Sequence, residues 1–107
     1  MVMAQFDVFR NIDALTCEAY PFFVDVQNDL LSSLKTRVVI PIVPFSYQDS
    51  LVPTSLCPRV VIDDQSHMVL TQLIATISLS ALEQYECSLF DSRDEIVAAM
   101  DCLITGV

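Results

Sequence analysis

The sequence predicts a small, mainly β domain that ends in one α-helix. Short runs of β-branched and aromatic residues recur along most of the chain and are separated by prolines and polar residues. After Ser92 the spacing of the apolar residues changes from alternation to a helical period. Because many short strands joined by polar turns favour antiparallel pairing, we expect a compact antiparallel sheet or small barrel. The 107 residues suffice for one domain, spanning residues 1–107, and leave no room for a second.

Three strands are predicted in the N-terminal part of the chain. Gln5–Arg10 alternates apolar and polar residues, and Thr36–Pro41 is β-branched and closes on a proline. Between them, Phe22–Leu31 begins as an alternating strand. Asn28 and Asp29 then supply turn chemistry, so we expect this strand to stop abruptly before the two leucines that follow.

The middle of the chain combines a long loop with further strands. Pro44–Pro58 holds three of the five prolines and has the composition of a loop. Arg59–Ile62 and His67–Gln72 flank the polar residues Asp63–Ser66, which is typical of a hairpin. Since that turn contains no glycine, we expect a connection longer than a tight type I′ turn. Ile74–Leu79 is another β-branched run and predicts a further strand.

The end of the chain carries the signals of a helix. Ser92 and Glu95 have the spacing of a capping box, which predicts that the helix begins there. Gly106, the only glycine of the protein, is well placed to end it. That glycine is either a simple helix stop or part of a functional surface. The residues at helical spacing that we expect to form one apolar face are Ile96, Val97, Met100, Leu103 and Ile104.

Four residues around the first turn have two possible interpretations each. Asp25 and Gln27 interrupt an apolar strand, so they need hydrogen-bond partners if they are buried. We favour a structural pair that fixes the local loop, with a role in ligand binding as the alternative. Leu30 and Leu31 belong to the core if they are buried, and form a contact patch if they are exposed.

Charge and composition narrow the classes of partner. The net charge of −9 argues against direct binding to nucleic acid or to an anionic membrane surface, both of which require clustered basic residues. It favours a protein partner with basic patches. The 53% hydrophobic content exceeds what a chain of this size hides easily, so we expect a homodimer. Near the helix, Glu83, Glu86 and Asp91 indicate only an acidic exposed face.

The sequence offers little for catalysis or metal binding. The four cysteines are irregularly spaced and the single histidine, His67, lies far from them in sequence, so we expect no zinc site. Asp63 and Asp64 suit a solvated turn better than a metal site. We therefore expect no catalytic residue, no metal and no cofactor. The chain shows no signal segment and no membrane span, and we expect reduced cysteines and a cytoplasmic location.

Three short segments, in this order, resemble the CcdB family of toxins. They are a VDVQ-x-D strand at Val24–Asp29, the aliphatic pair Leu30 and Leu31, and a VIP strand at Val39–Pro41. The resemblance implies a small antiparallel SH3-like barrel with a C-terminal helix, of the type shared with the RNA-cleaving toxins MazF and Kid. It also implies a homodimer.

The same resemblance implies a function without catalysis. Family members belong to type II toxin–antitoxin modules, some of them concerned with plasmid maintenance. The toxin binds the DNA gyrase A subunit and traps the enzyme with its DNA cleaved, and a cognate antitoxin neutralises it by folding around it. We expect the antitoxin to contact the loop from Val43 to Leu51 and parts of the terminal helix. The resemblance assigns gyrase contact to Leu30, Leu31, Asp101, Ile104, Thr105, Gly106 and Val107.

One position departs from the family pattern. Thr105 stands where the best-known member has a tryptophan, and this chain has no tryptophan. Two alternatives to a gyrase poison follow from the sequence. One is a relative that binds antitoxin without being toxic, which Thr105 supports. The other is a ribonuclease on the related fold, which five basic residues against 14 acidic ones disfavour.

Overall fold

The computed structural model of the protein describes residues 4–106. In this part of the chain, seven strands form one antiparallel sheet that curls into a half-barrel, followed by a C-terminal helix. The predicted fold class is therefore confirmed. The elements are β1 (Asp7–Arg10), β2 (Phe22–Asp25), β3 (Thr36–Pro44), β4 (Arg59–Ile62), β5 (Gln65–Val69), β6 (Ala75–Ser78), β7 (Tyr85–Ser88) and α1 (Arg93–Thr105).

The long strand β3 organises the sheet. The strands are ordered β4-β5-β3-β2-β1-β7, and β6 also pairs with β3. One edge of β3 pairs with β2, whereas the other edge pairs first with β6 and then with β5. Pro41 lies where that second edge changes partner, between the residues that pair with β6 and those that pair with β5. A proline, which has no N–H to donate, is tolerated at this position inside a paired strand.

The core lies between the sheet and α1. Val8, Val24 and Ile40 of the sheet are fully buried in one cluster with Ile96 of the helix. The predicted apolar face of α1 is only partly correct, because Ile96 is buried but Val97, Leu103 and Ile104 are exposed. The helix therefore covers the sheet with a narrow face, and its last turn extends beyond the core.

The hairpin between β4 and β5 is tighter than predicted. Ile62 pairs directly with Gln65, which leaves a two-residue turn. Asp63 and Asp64 have φ angles of 54° and 61°, the left-handed combination of a type I′ turn. The expectation of a longer connection was wrong because aspartate, with its short polar side chain, tolerates this conformation better than most residues do.

Two other local predictions need correction. Ser92 makes no side-chain cap hydrogen bond, because the chain enters α1 directly from a 3-10 turn at Phe90–Ser92; the predicted capping box is therefore wrong. The stretch that contains Glu86 includes strand β7, which pairs with β1 and was not predicted. Glu86 itself is partly buried and pairs with Arg10.

The end of α1 follows the prediction. Gly106 is the C-cap residue, with a φ of 75° in the left-handed region that favours glycine. Its N–H donates to the carbonyl of Cys102 at 3.0 Å. Within residues 4–106, no helix has the length and apolar character that a membrane crossing requires.

Candidate interaction site

The turn after β2 presents two leucines to solvent. Asn28 accepts a hydrogen bond from the Leu30 N–H at 2.8 Å, which starts a 3-10 turn at Asp29–Leu31. None of the residues in that turn is buried. Leu30 is 88% exposed and Leu31 is 50% exposed, so these side chains are not part of the core, and their role as a contact patch remains a prediction.

A buried ion pair lies beneath this turn. Asp25 and Arg37 are 0% and 1% exposed, and Nη2 of Arg37 lies 2.6 Å from Oδ2 of Asp25. Nε of Arg37 donates to the same oxygen at 2.9 Å. The other carboxylate oxygen accepts from the Gln27 N–H at 3.0 Å. The charge of each partner is therefore compensated within the protein, as burial requires.

Gln27 links this pair to the turn. Its Nε2 donates to the Leu31 carbonyl at 3.0 Å, and its Oε1 accepts from the Val38 N–H at 3.1 Å. The hydrogen bonds of Asp25 and Gln27 are thus made to protein groups around the loop. This confirms the structural interpretation of the two buried polar residues.

Opposing forces act on the ionisation of Asp25. Burial raises the pKa of Asp25, because removal from water disfavours the carboxylate. Hydrogen bonds from Arg37 and from the Gln27 backbone lower it, but they do not cancel the effect of burial.

A second group of predicted contact residues lies at the end of α1. Asp101, Ile104, Thr105 and Gly106 are all exposed, and Ile104 is 76% exposed. The Thr105 hydroxyl donates to the Asp101 carbonyl at 2.7 Å, so Thr105 helps to satisfy the last turn of the helix. Val107, also predicted to contact gyrase, lies outside the described residues. The helix packs on the 3-10 turns at Thr71–Leu73 and Phe90–Ser92. The helix end and the leucine pair, which lies in the turn after β2, therefore belong to separate elements.

A third exposed surface lies in the long loop, within the predicted antitoxin segment from Val43 to Leu51. Tyr47 and Leu51 begin and end a 3-10 turn and are 91% and 93% exposed. Hydrogen bonds from Ser46 to the Asp49 carboxylate cap the turn and hold the pKa of Asp49 below its usual value.

Arg59 anchors this loop from the neighbouring strand. Its Nη2 donates to the carbonyls of Asp49 at 3.1 Å and Val52 at 2.8 Å. Its guanidinium lies 4.6 Å from the centre of the Phe45 ring. The roles of Arg59 and Arg37 were not predicted from the sequence. The only available signal was the presence of a basic residue in an otherwise apolar strand.

His67 and the four cysteines were the residues considered for catalysis or metal binding. His67 is buried, its Nδ1 lies 2.9 Å from the Gln65 carbonyl, and its ring packs edge-on against Phe22. Cys17, Cys57, Cys87 and Cys102 are all free thiols. Between residues 4 and 106, no three His, Cys, Asp or Glu side chains cluster closely enough to hold a metal ion.

A curled antiparallel sheet, a C-terminal helix and exposed apolar side chains on its loops define a small protein suited to binding other proteins. The family model described as CcdB protein matches residues 5–106, so the chain belongs to the CcdB family. The resemblance noted in the sequence is therefore confirmed. Membership implies a gyrase-targeting toxin of a toxin–antitoxin system that acts as a protein inhibitor and not as an enzyme.

Proposed function

We propose that this protein is the toxin of a type II toxin–antitoxin module, binds the gyrase A subunit and traps gyrase with its DNA cleaved. The observation that supports this most strongly is the exposure of Leu30, Leu31 and Ile104 at 88%, 50% and 76%. Large apolar side chains held this far out of the core are typical of contact surfaces. All three belong to the residues that the family resemblance assigns to gyrase contact.

The proposed contact surface combines the leucine pair with the helix end. Leu30 and Leu31 supply apolar contacts, as Ile104 does on the helix. Asp101 supplies a charge, and Thr105 and Gly106 supply the surface of the last turn, with Val107 following them. In a homodimer, a two-fold axis would present each group twice, which matches the two-fold symmetry of a gyrase A dimer.

The basic residues support inhibition by binding over RNA cleavage. Cleavage of RNA requires positive groups that hold phosphate and stabilise the transition state. Arg37 is buried against Asp25, and Arg59 donates to loop carbonyls. Arg10 pairs with Glu86, and Arg93 stacks on Phe90 and donates to its carbonyl. Most of the positive charge therefore already has a partner within the protein.

The antitoxin is proposed to bind the long loop. Tyr47 and Leu51 offer exposed apolar surface to a disordered segment that folds as it binds, and the acidic chain favours a segment with basic residues. Such a module would act in the cytoplasm, where gyrase and DNA are found, and would serve plasmid maintenance or a chromosomal counterpart.

One observation favours a second candidate function. Thr105 replaces the family tryptophan, and aromatic anchors often dominate the energy of an interface. Without that anchor, the protein would be an antitoxin-binding relative that does not poison gyrase.

The test is a supercoiling and DNA-cleavage assay with purified gyrase, ATP and the protein. Trapped cleaved DNA is expected with the wild type and not with Gly106→Arg, which places a large charged side chain in the exposed helix end. Asp94→Arg, an exposed change in the first turn of the same helix, is the matched control and should poison as the wild type does. Absence of trapped DNA with a folded dimer would favour the antitoxin-binding relative, and retained poisoning by Gly106→Arg would contradict the assigned surface.

A further inference from the structure

We propose that Asp25, Gln27, Arg37 and Asp29 form a polar scaffold that holds Leu30 and Leu31 in their exposed geometry before gyrase binds. These four would be positioning residues, which act on the partner through the leucines that they hold. The inference rests on the proposed function, because it assumes that the leucine pair contacts gyrase.

Packing alone does little to hold this turn in place. No residue of Asp29–Leu31 is buried and Leu31 is half exposed, so no fully buried apolar side chain ties the turn to the core. A turn without such an anchor samples many conformations unless hydrogen bonds restrain it. The leucines could then reach a partner only after the chain had been ordered, and that ordering would reduce the affinity.

The scaffold supplies the missing restraint at both ends of the turn. At the start, the Asp29 carboxylate accepts from the Gln5 N–H at 2.8 Å and lies 3.6 Å from Nη2 of Arg37. At the end, Nε2 of Gln27 donates to the Leu31 carbonyl at 3.0 Å. Arg37 and Gln27 are buried, so both restraints originate from side chains that are themselves fixed.

The energetics of the ion pair point to the same role. A buried pair of charges rarely stabilises a fold more than apolar residues of the same volume would, because desolvation offsets the attraction. Stability alone therefore does not account for Asp25 and Arg37 at fully buried positions. The guanidinium reaches three groups that matter for the turn: the Asp25 carboxylate, the Asp29 carboxylate and, at 3.5 Å, the Gln27 carbonyl.

The test compares gyrase affinity with the mobility of the turn. Gln27→Met removes two hydrogen bonds at nearly constant volume, the one that Gln27 donates to the Leu31 carbonyl and the one that it accepts from the Val38 N–H. Asp29→Ala removes the exposed restraint at the other end. Asp91→Ala is the matched control, since Asp91 is an exposed aspartate in another 3-10 turn, Phe90–Ser92. Affinity for purified gyrase A is measured by calorimetry, amide exchange at Leu31 and Ser32 by NMR, and global stability by urea unfolding.

Each restraint amounts to one or two hydrogen bonds, so each of the two variants should bind gyrase A about fivefold more weakly or worse. Amide exchange in the turn should accelerate beyond what any change in global stability explains, whereas Asp91→Ala should match the wild type. In a Leu30→Ser background, Gln27→Met should cost less affinity than it does alone, because the contact that it positions is already gone. A merely structural role of Gln27 would not produce this coupling.

The outcomes separate the two proposals. If Leu30→Ser weakens binding but Gln27→Met and Asp29→Ala do not, the leucine pair contacts gyrase and the positioning role is wrong. If Leu30→Ser leaves the affinity unchanged, the proposed contact surface itself is wrong. Should Gln27→Met fail to fold, Asp29→Ala decides the question, because its side chain is exposed and its loss leaves the core intact.

Discussion

Replacing Arg37 with methionine should destabilise the fold far more than an ordinary change of a charged residue does. The guanidinium of Arg37 is 1% exposed and contacts the fully buried carboxylate of Asp25. Removing one partner of such a pair leaves the other charge uncompensated, which costs about 3–5 kcal/mol. Because a small domain is stable by only about 5–15 kcal/mol, Arg37→Met should remove a large part of the total.

The size of this loss should depend on pH, because Asp25 can lose its unpaired charge by taking up a proton. Burial already raises the pKa of Asp25, and the substitution removes the hydrogen bond that opposes this most. In the unfolded chain Asp25 has the ordinary aspartate pKa of 3.8. Between that value and the raised pKa, Asp25 is therefore protonated in the folded variant but ionised in the unfolded chain. As the pH falls from the raised pKa towards 3.8, the variant gains up to about 1.4 kcal/mol of stability per pH unit. Its deficit relative to the wild type should therefore shrink.

Urea unfolding at a fixed protein concentration, at pH 7 and at pH 5, measures both effects. The control is the double variant Asp25→Leu/Arg37→Met, which replaces the pair with apolar side chains and should recover most of the lost stability. A cost below about 1 kcal/mol for Arg37→Met at pH 7, the value of a surface pair, would refute the argument from burial. A deficit that grows at pH 5 would refute the argument from protonation.

Three further predictions concern other parts of the molecule. Asp64→Gly should stabilise the protein by a few tenths to about 1 kcal/mol, because glycine adopts the left-handed φ of the β4–β5 turn without strain; a lower urea midpoint would contradict this. Burial raises the pKa of the Cys57 thiol above 9.0, so the folded state favours the protonated thiol and stability should fall as the pH rises through 9.0 and above. Under reducing conditions, Cys57→Ala should show a smaller loss of thermal stability between pH 8 and pH 10, and an equal loss would exclude this thiol as a cause. Thr105→Trp should change the free energy of unfolding by no more than about 0.5 kcal/mol, because the residue is exposed. The variant should bind purified gyrase A at least as tightly as the wild type. A large loss of affinity would show that the helix end docks differently.

The hydrophobic pattern was sufficient to predict most of the fold. Alternation revealed the strands around β2 and β3, and the change of period revealed α1, because both patterns reflect which side of an element faces the core. Strand β7 was missed because its four residues include Glu86 and no residue that is fully buried. Its place in the sheet depends on pairing with β1, which a local pattern does not report.

The sequence located the proposed contact residues Leu30 and Leu31, but it did not reveal the side chains that surround their turn. Whether Leu30 and Leu31 are buried in the core or exposed depends on how the turn after β2 packs. The alternation of apolar and polar residues ends before that turn and therefore does not predict their burial. Asp25 pairs with Val39 on the neighbouring strand. Arg37 lies two residues before Val39, so its side chain is on the same face of the sheet as that of Asp25. Only the register reveals this contact, since the two residues lie twelve positions apart in sequence.

On the proposed positioning role, the VDVQ-x-D segment would connect the fold to gyrase binding through this register. Its apolar residues Val24 and Val26 enter the core. The Asp25 carboxylate and the Gln27 backbone carbonyl contact the guanidinium of Arg37 on β3, and the Asp29 carboxylate in the turn lies 3.6 Å from the same guanidinium. A purely apolar strand would form the same sheet, because the face that Asp25 shares with Val39 is also buried and would accept apolar side chains. The polar residues between them would then add what the sheet itself does not require, a fixed geometry for the two leucines that follow. On this argument, the double variant Asp25→Leu/Arg37→Met keeps the fold but loses the guanidinium that holds Asp29, so stability and positioning become separable in one protein.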